Sequence, residues 1–391
     1  MNHKHKLHVA ARMADIEPFH VMDVLAKARQ MESAGRSIVH MEIGEPDFVT
    51  PQTVVDAGVK ALQQGYTHYT PAVGLPALRQ AIAQHYRRMH GLTVAPEQIV
   101  VTPGASGALL LILGVLINPG DQVLMCDPSY PCNRHFVRLL EGEAVGIAVD
   151  ATTHYQLTAE VLERHWTENT RAVMLASPSN PTGSVISEFH LRQLIEFVEQ
   201  KGAYLIMDEI YHGLVYGEQA PTAVGRSENV LVINSFSKYF NMTGWRLGWL
   251  VAPTSMVRDI DKLAQNIFLA PATISQYAAL AALQPDTLQI LEQRRAEFQK
   301  RRDYLLPQLR QLGFDIPVEP EGAFYLYADC SRFTDNSVEF CETLLQEAGV
   351  AITPGIDFGN YLPRTHVRFA YTTSMENLQE GVHRIAAFLN P

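Results

Sequence analysis

The most chemically loaded stretch of the chain sets a lysine among small hydroxyls, Ser235-Phe236-Ser237-Lys238, and follows it with Asn241-Met242-Thr243-Gly244-Trp245-Arg246-Leu247-Gly248. A lysine amine condenses with a carbonyl, while hydroxyls and a guanidinium grip a phosphate, so the types suit a phosphorylated carbonyl cofactor. Taken alone, Ser-x-Ser-Lys equally describes a solvated polar loop. The two readings separate on company, because such chemistry needs further polar groups converging on one crevice.

The elements that would gather them are legible between about residues 98 and 251. Short apolar runs alternate there with longer amphipathic segments: Ile99 to Val101, Val123 to Met125, Val145 to Val149, Ala172 to Ala176, Tyr204 to Met207, Val230 to Ile233 and Leu247 to Val251. That alternation predicts an α/β fold with a largely parallel sheet wrapped in helices. One helix is explicit: Ser187 as N-cap, Leu191, Leu194, Ile195 and Val198 as its apolar stripe, Gly202 at its end. The apolar stretch Ala108 to Ile117 predicts a buried helix, and Leu288 to Leu312 a long helix interrupted near Pro307. A C-terminal helix should start behind Ser374, with Leu378, Val382, Ile385 and Leu389 on one face.

Open parallel sheets bind ligands at the carboxyl ends of their strands, so the residues just after each apolar run matter most. Thr102-Pro103-Gly104-Ala105-Ser106-Gly107 opens a helix with small residues, leaving backbone N–H groups free for a phosphate, or simply making a turn. Asp127-Pro128-Ser129-Tyr130 puts a ring near the crevice, for stacking or for structure. Asn180, in Ser179-Asn180-Pro181-Thr182-Gly183, offers an amide in what is otherwise a connector. Asp208 ends an apolar strand three residues before Tyr211; a buried aspartate wants a cation such as a protonated pyridine nitrogen, or else caps a helix. The Ser235 to Lys238 segment follows the next run.

With these come Gly44-Glu45-Pro46-Asp47-Phe48, Tyr69-Thr70-Pro71-Ala72-Val73-Gly74 and Val367-Arg368-Phe369. In that order the motifs resemble the class I and II aminotransferases, pyridoxal phosphate enzymes of fold type I, over nearly the whole chain. The resemblance implies a large domain with a mostly parallel seven-stranded sheet and a smaller α/β domain. We expect residues 1–50 to join the small domain, 51–287 to form the cofactor-binding domain and 288–391 the small domain itself. It also implies roles. Lys238 would be the Schiff-base lysine, Asp208 the partner of the pyridine nitrogen, and Tyr211 and Asn180 the donors to the phenolate oxygen. Ser235, Ser237, Arg246, Gly104 and the amides of Ala105 and Ser106 would hold the phosphate, with Tyr130 stacked on the ring. Arg368, with Asn180 and the backbone of Gly44, would bind the substrate α-carboxylate. Tyr69 would reach the phosphate of a neighbouring subunit, which implies a homodimer. The reaction implied is ping-pong transfer of an amino group from an L-amino acid to a 2-oxo acid such as 2-oxoglutarate or pyruvate. A carbon–sulfur β-lyase on the same scaffold is the rival, and a ligand-sensing regulator would need an attached DNA-binding domain that the pattern leaves no room for.

Composition agrees. The 391 residues are 47% apolar with a formal net charge of −10, which disfavours nucleic acid as a partner. Cys126, Cys132, Cys330 and Cys341 lack metal spacing, no apolar run is long enough to span a membrane, and nothing at the start resembles a signal, so a cytoplasmic location and no metal are expected. His3, His5 and His8 read as a polar tail with at most weak metal affinity. No segment matches the one some aspartate aminotransferases use for a distal carboxylate. Phe19, Phe324 and Tyr325 instead suggest an apolar or aromatic side-chain pocket.

Overall fold

The computed structural model describes residues 9–390, so the histidine-bearing start lies outside the described residues. The strands are β1 (Val39–His40), β2 (Ile99–Thr102), β3 (Gln122–Asp127), β4 (Glu143–Ala148), β5 (Thr170–Ala176), β6 (Tyr204–Asp208), β7 (Val230–Ser235), β8 (Gly248–Val251), β9 (Tyr325–Asp329), β10 (Val350–Ala351), β11 (Thr353–Pro354) and β12 (His366–Ala370). The helices are α1 (His20–Ser33), α2 (Gln52–Gln63), α3 (Pro76–His90), α4 (Gly104–Leu116), α5 (Cys132–Leu139), α6 (Ala159–His165), α7 (Glu188–Gln200), α8 (Thr254–Ile267), α9 (Thr273–Ala282), α10 (Pro285–Leu312), α11 (Ser337–Thr343) and α12 (Met375–Leu389).

The seven apolar runs became one sheet in the order β2-β8-β7-β6-β5-β3-β4. All its neighbours are parallel except β8, which runs antiparallel to both β2 and β7. Central strands such as β6 and β7 are apolar residue after residue because helices cover both faces of the sheet. On one face α4 packs against α8 with Leu111, Ile112 and Leu113 wholly buried, as its sequence predicts. On the other, α7 begins at Ser187, whose hydroxyl accepts from His190 N, and buries Leu191, Leu194, Ile195 and Val198. Four such side chains contribute roughly 6 to 12 kcal/mol of transfer free energy.

A three-stranded antiparallel sheet, β11-β12-β9, lies outside the seven-stranded one, and β1 pairs in parallel with β10. Ser374 caps α12 through Asn377 N, and Leu378, Val382 and Ile385 are buried against its neighbours. One expectation fails: α10 runs unbroken through Pro307. Proline removes one helical hydrogen bond, but Leu305, Leu306 and Leu309 are buried on either side of it, and their packing holds the helix across the gap.

Candidate active site

Parallel strands end on one side, and that side gathers most of the expected residues around a single cleft. Gly44, Ala105, Ser106, Tyr130, Asn180, Asp208, Tyr211, Ser235, Ser237, Lys238, Arg246 and Arg368 all line it. Gly104 lies immediately behind, so tightly packed that a Cβ there would sit 2.7 Å from Arg246 Nη2. Its φ of +72° is a second reason for glycine. Tyr69 does not join them; it is 83% exposed at the surface of the chain. Phe324 is also absent from the lining. It is fully buried behind the cleft against Phe298, because neighbouring residues of an extended segment point to opposite sides and Tyr325 takes the facing one. A larger cleft elsewhere, of about 610 Å³ beside His90, Glu188 and Arg226, is lined by no lysine among the described residues.

Burial dominates the electrostatics. Lys238 Nζ donates to the Gly44 carbonyl at 2.6 Å, and loss of solvent lowers its pKa to about 8. Asp208, at the end of β6, is raised to about 6, again first by burial. Among the described residues its side chain has one hydrogen bond, accepted at Oδ1 from Ile210 N at 3.1 Å, and no helix starts there, so the helix-cap alternative fails. The next residue, Glu209, points away from the cleft; it accepts from Thr222 Oγ1 and Ala223 N and is raised by burial to about 7. Tyr211 and Tyr325 join hydroxyl to hydroxyl at 2.8 Å.

Arg368 is wholly buried on β12. Its Nη1 donates to Asn180 Oδ1 at 2.9 Å, its Nη2 to the Glu42 carbonyl and to Thr353 Oγ1, and its Nε has no partner. The guanidinium lies 4.3 Å from the centroid of the Tyr325 ring. The side expected to take a phosphate is equally bare. Helix α4 has no side-chain cap, and Arg246 forms no ion pair among the described residues. Ser235 Oγ and Ser237 Oγ are 3.0 Å apart.

A family model described as aminotransferase class I and II matches residues 36–385. The chain belongs to the class I and II aminotransferases. A valine–pyruvate aminotransferase of Mycobacterium tuberculosis is 40% identical, with 97% of this chain and 98% of the relative covered. A (5-formylfuran-3-yl)methyl phosphate transaminase of Methanocaldococcus jannaschii is 39% identical over 98% of this chain and all of the relative. The crystal structure of an aminotransferase from Mycobacterium tuberculosis superposes with a TM-score of 0.95 at 39% identity, covering 98% of this chain and 99% of that one. As an aminotransferase of this family, the chain is a pyridoxal phosphate-dependent enzyme that transfers amino groups, on the fold type I scaffold that the resemblance implied.

Several groups at the cleft were not foreseen. Thr353 and the Glu42 carbonyl hold Arg368, and Val21, Met22, Ile43 and Leu109 add apolar walls. The two-residue pairing of β11 with β12, which sets Thr353 opposite Arg368, is too short to leave a periodic signal.

Proposed function

We propose that this aminotransferase holds pyridoxal phosphate covalently at Lys238 and moves amino groups from apolar L-amino acids to 2-oxoglutarate or pyruvate by a ping-pong mechanism. Three features support the cofactor fit. Asp208 is a buried carboxylate to which no cation is bonded among the described residues, which suits a ring N–H. The uncapped start of α4, with Gly104 pressed on Arg246, leaves backbone amides and a guanidinium for a phosphate. A Cβ on Gly248 would come within 2.8 Å of Asn234 O and the Gly104 carbonyl carbon, so the cradle tolerates no larger residue.

When bound, the cofactor supplies a carbonyl that condenses with amines and an electron-poor ring that stabilises negative charge at the substrate Cα. Asp208 would hold the ring N–H, Tyr211 and Asn180 would donate to the phenolate oxygen, and Tyr130 would lie beside the ring. Ser235, Ser237, Arg246 and the amides of Ala105 and Ser106 would bind the phosphate. The unpartnered Arg368 Nε and its neighbouring Nη orient the substrate α-carboxylate, with Asn180 and the Gly44 backbone alongside. Lys238, once its amine is displaced, takes the α-proton and returns it as an acid; an amine with a pKa near 8 suits both roles near neutral pH.

The substrate side chain would meet Phe19, Val21, Met22, Ile43 and Leu109. The lining cations, Lys238, Arg246 and Arg368, are all assigned, which leaves no cation for a distal carboxylate among the described residues of the cleft. The relative named for valine and pyruvate agrees. We also read the enzyme as a homodimer, since exposed Tyr69 is free to serve a second subunit, and as cytoplasmic, since its four cysteines are free. Residues 1–50 and 288–391 form the smaller domain on this reading, supported by the β1–β10 pair, and 51–287 the larger. A screen of amino donors against 2-oxoglutarate and pyruvate tests the specificity: valine, leucine and phenylalanine should outpace aspartate, and faster turnover of aspartate would refute the apolar reading.

A further inference from the structure

Helix α1 starts beside the cleft and has no cap of its own: the residue before it is Phe19, whose side chain cannot accept a hydrogen bond. A carboxylate from the far end of the chain does the work instead. Asp357 Oδ1 accepts from His20 N and Oδ2 from Val21 N, each at 2.9 Å, across sequence separations of 337 and 336 residues. Asp357 is only 2% exposed, and no ion pair to its carboxylate occurs among the described residues. A buried carboxylate without a cation is costly, and two backbone donors at a helix start are what offset that cost here.

The same short segment is tied to the opposite wall. Arg134 Nη2, on α5, donates to the Asp357 carbonyl at 3.2 Å, and Ser129 N donates to Phe358 O at 2.8 Å. Asp127 accepts from Asn360 N at 2.8 Å and from Tyr361 N at 3.2 Å. Residues 357–361 therefore clasp the turn that carries Tyr130 with one hand and the start of α1 with the other. Phe19 meets Tyr130 edge to face, with centroids 6.1 Å apart, and Val21 and Met22 follow it along the cleft.

We propose that Asp357 is a positioning residue that latches the first turn of α1, so that Phe19, Val21 and Met22 form the wall selecting apolar substrate side chains. The proposal rests on the apolar pocket reading given above. Asp357 touches neither substrate nor cofactor; it acts by holding three residues where a side chain longer than a methyl group would reach them. Cap bonds of this kind shift a local equilibrium by about 2- to 30-fold.

The test compares alanine with leucine and phenylalanine as donors in the cofactor-loaded wild type, Asp357→Ala and His20→Pro. Proline is tolerated at the first helical position and Phe19 is already extended, so His20→Pro deletes one donor to Asp357 while keeping α1. Asp357→Ala should raise KM for leucine and phenylalanine about 10- to 30-fold and for alanine about 3-fold or less, with kcat little changed. His20→Pro should show the same selectivity at about 3-fold. Hydrogen exchange in residues 21–24 should speed up in both variants without any substrate present. Equal losses for all donors, or none, with faster exchange absent, would overturn the latch. A wild type indifferent to donor side chain would instead defeat the pocket reading before any variant is made. If Asp357→Ala fails to fold, His20→Pro decides alone.

Discussion

The two walls of the cleft were built by different means. The wall we assign to the cofactor comes from successive strand ends: the α4 start after β2, Tyr130 after β3, Asn180 after β5, Asp208 on β6 and Ser235 on β7. The wall we assign to the substrate comes largely from the start of α1, which Asp357 holds across more than 330 positions of sequence. Parallel topology converts order in sequence into order in space, so the first wall is rigid and its residues are replaceable only at the cost of chemistry. The second is a docked segment held by a few hydrogen bonds, where substitutions should alter choice of substrate rather than rate.

The largest effect should follow damage to the cofactor wall. Lys238→Ala should lose covalent cofactor and at least about 10²- to 10⁴-fold in kcat, the scale of a missing general acid–base, in a chain that still folds. Mixed with Tyr69→Phe subunits, the inactive Lys238→Ala subunits should form some heterodimers carrying one unimpaired site; an active monomer in sedimentation would end the shared-site reading. Arg368→Lys comes next. A guanidinium grips a carboxylate with two prongs, and charge-assisted bonds contribute about 1.5 to 3 kcal/mol each, so kcat/KM for donors should fall about 10- to 150-fold. The cofactor absorption band should stay; its loss would move Arg368 to the cofactor wall.

The smallest effect concerns the back of that wall. Asp208 and Glu209 have pKa values raised to about 6 and about 7 in the fold. Between about pH 4 and 7 the native chain therefore binds more protons at these two groups than the unfolded chain, and their contribution to stability falls as pH rises. In cofactor-free protein, Glu209→Gln should flatten that dependence, narrowing the difference in Tm between pH 5.5 and 7.5 by about 1 to 3 °C. An unchanged difference would mean that Glu209 is already ionised throughout.

Legibility in the sequence follows the same division. All seven sheet strands and their terminal polar residues could be read because a sheet covered on both faces needs unbroken apolar runs, and each run ends at a group that is costly to bury. The choice between Phe324 and Tyr325 could not be read, since it depends on which side of a strand faces the cleft and the local pattern is apolar both ways. Pro307 misled because local propensity lost to the packing of Leu305, Leu306 and Leu309. Asp357 left no signal at all; its partners are backbone amides of a segment more than 330 residues away, and no side-chain pattern records them.

Reduction of the cofactor-loaded enzyme with borohydride, followed by peptide mapping, tests the central claim most directly. The account predicts one cofactor label per chain, on the peptide containing Ser235 to Arg246 and at Lys238. A label on any other lysine, or none with activity intact, would contradict it.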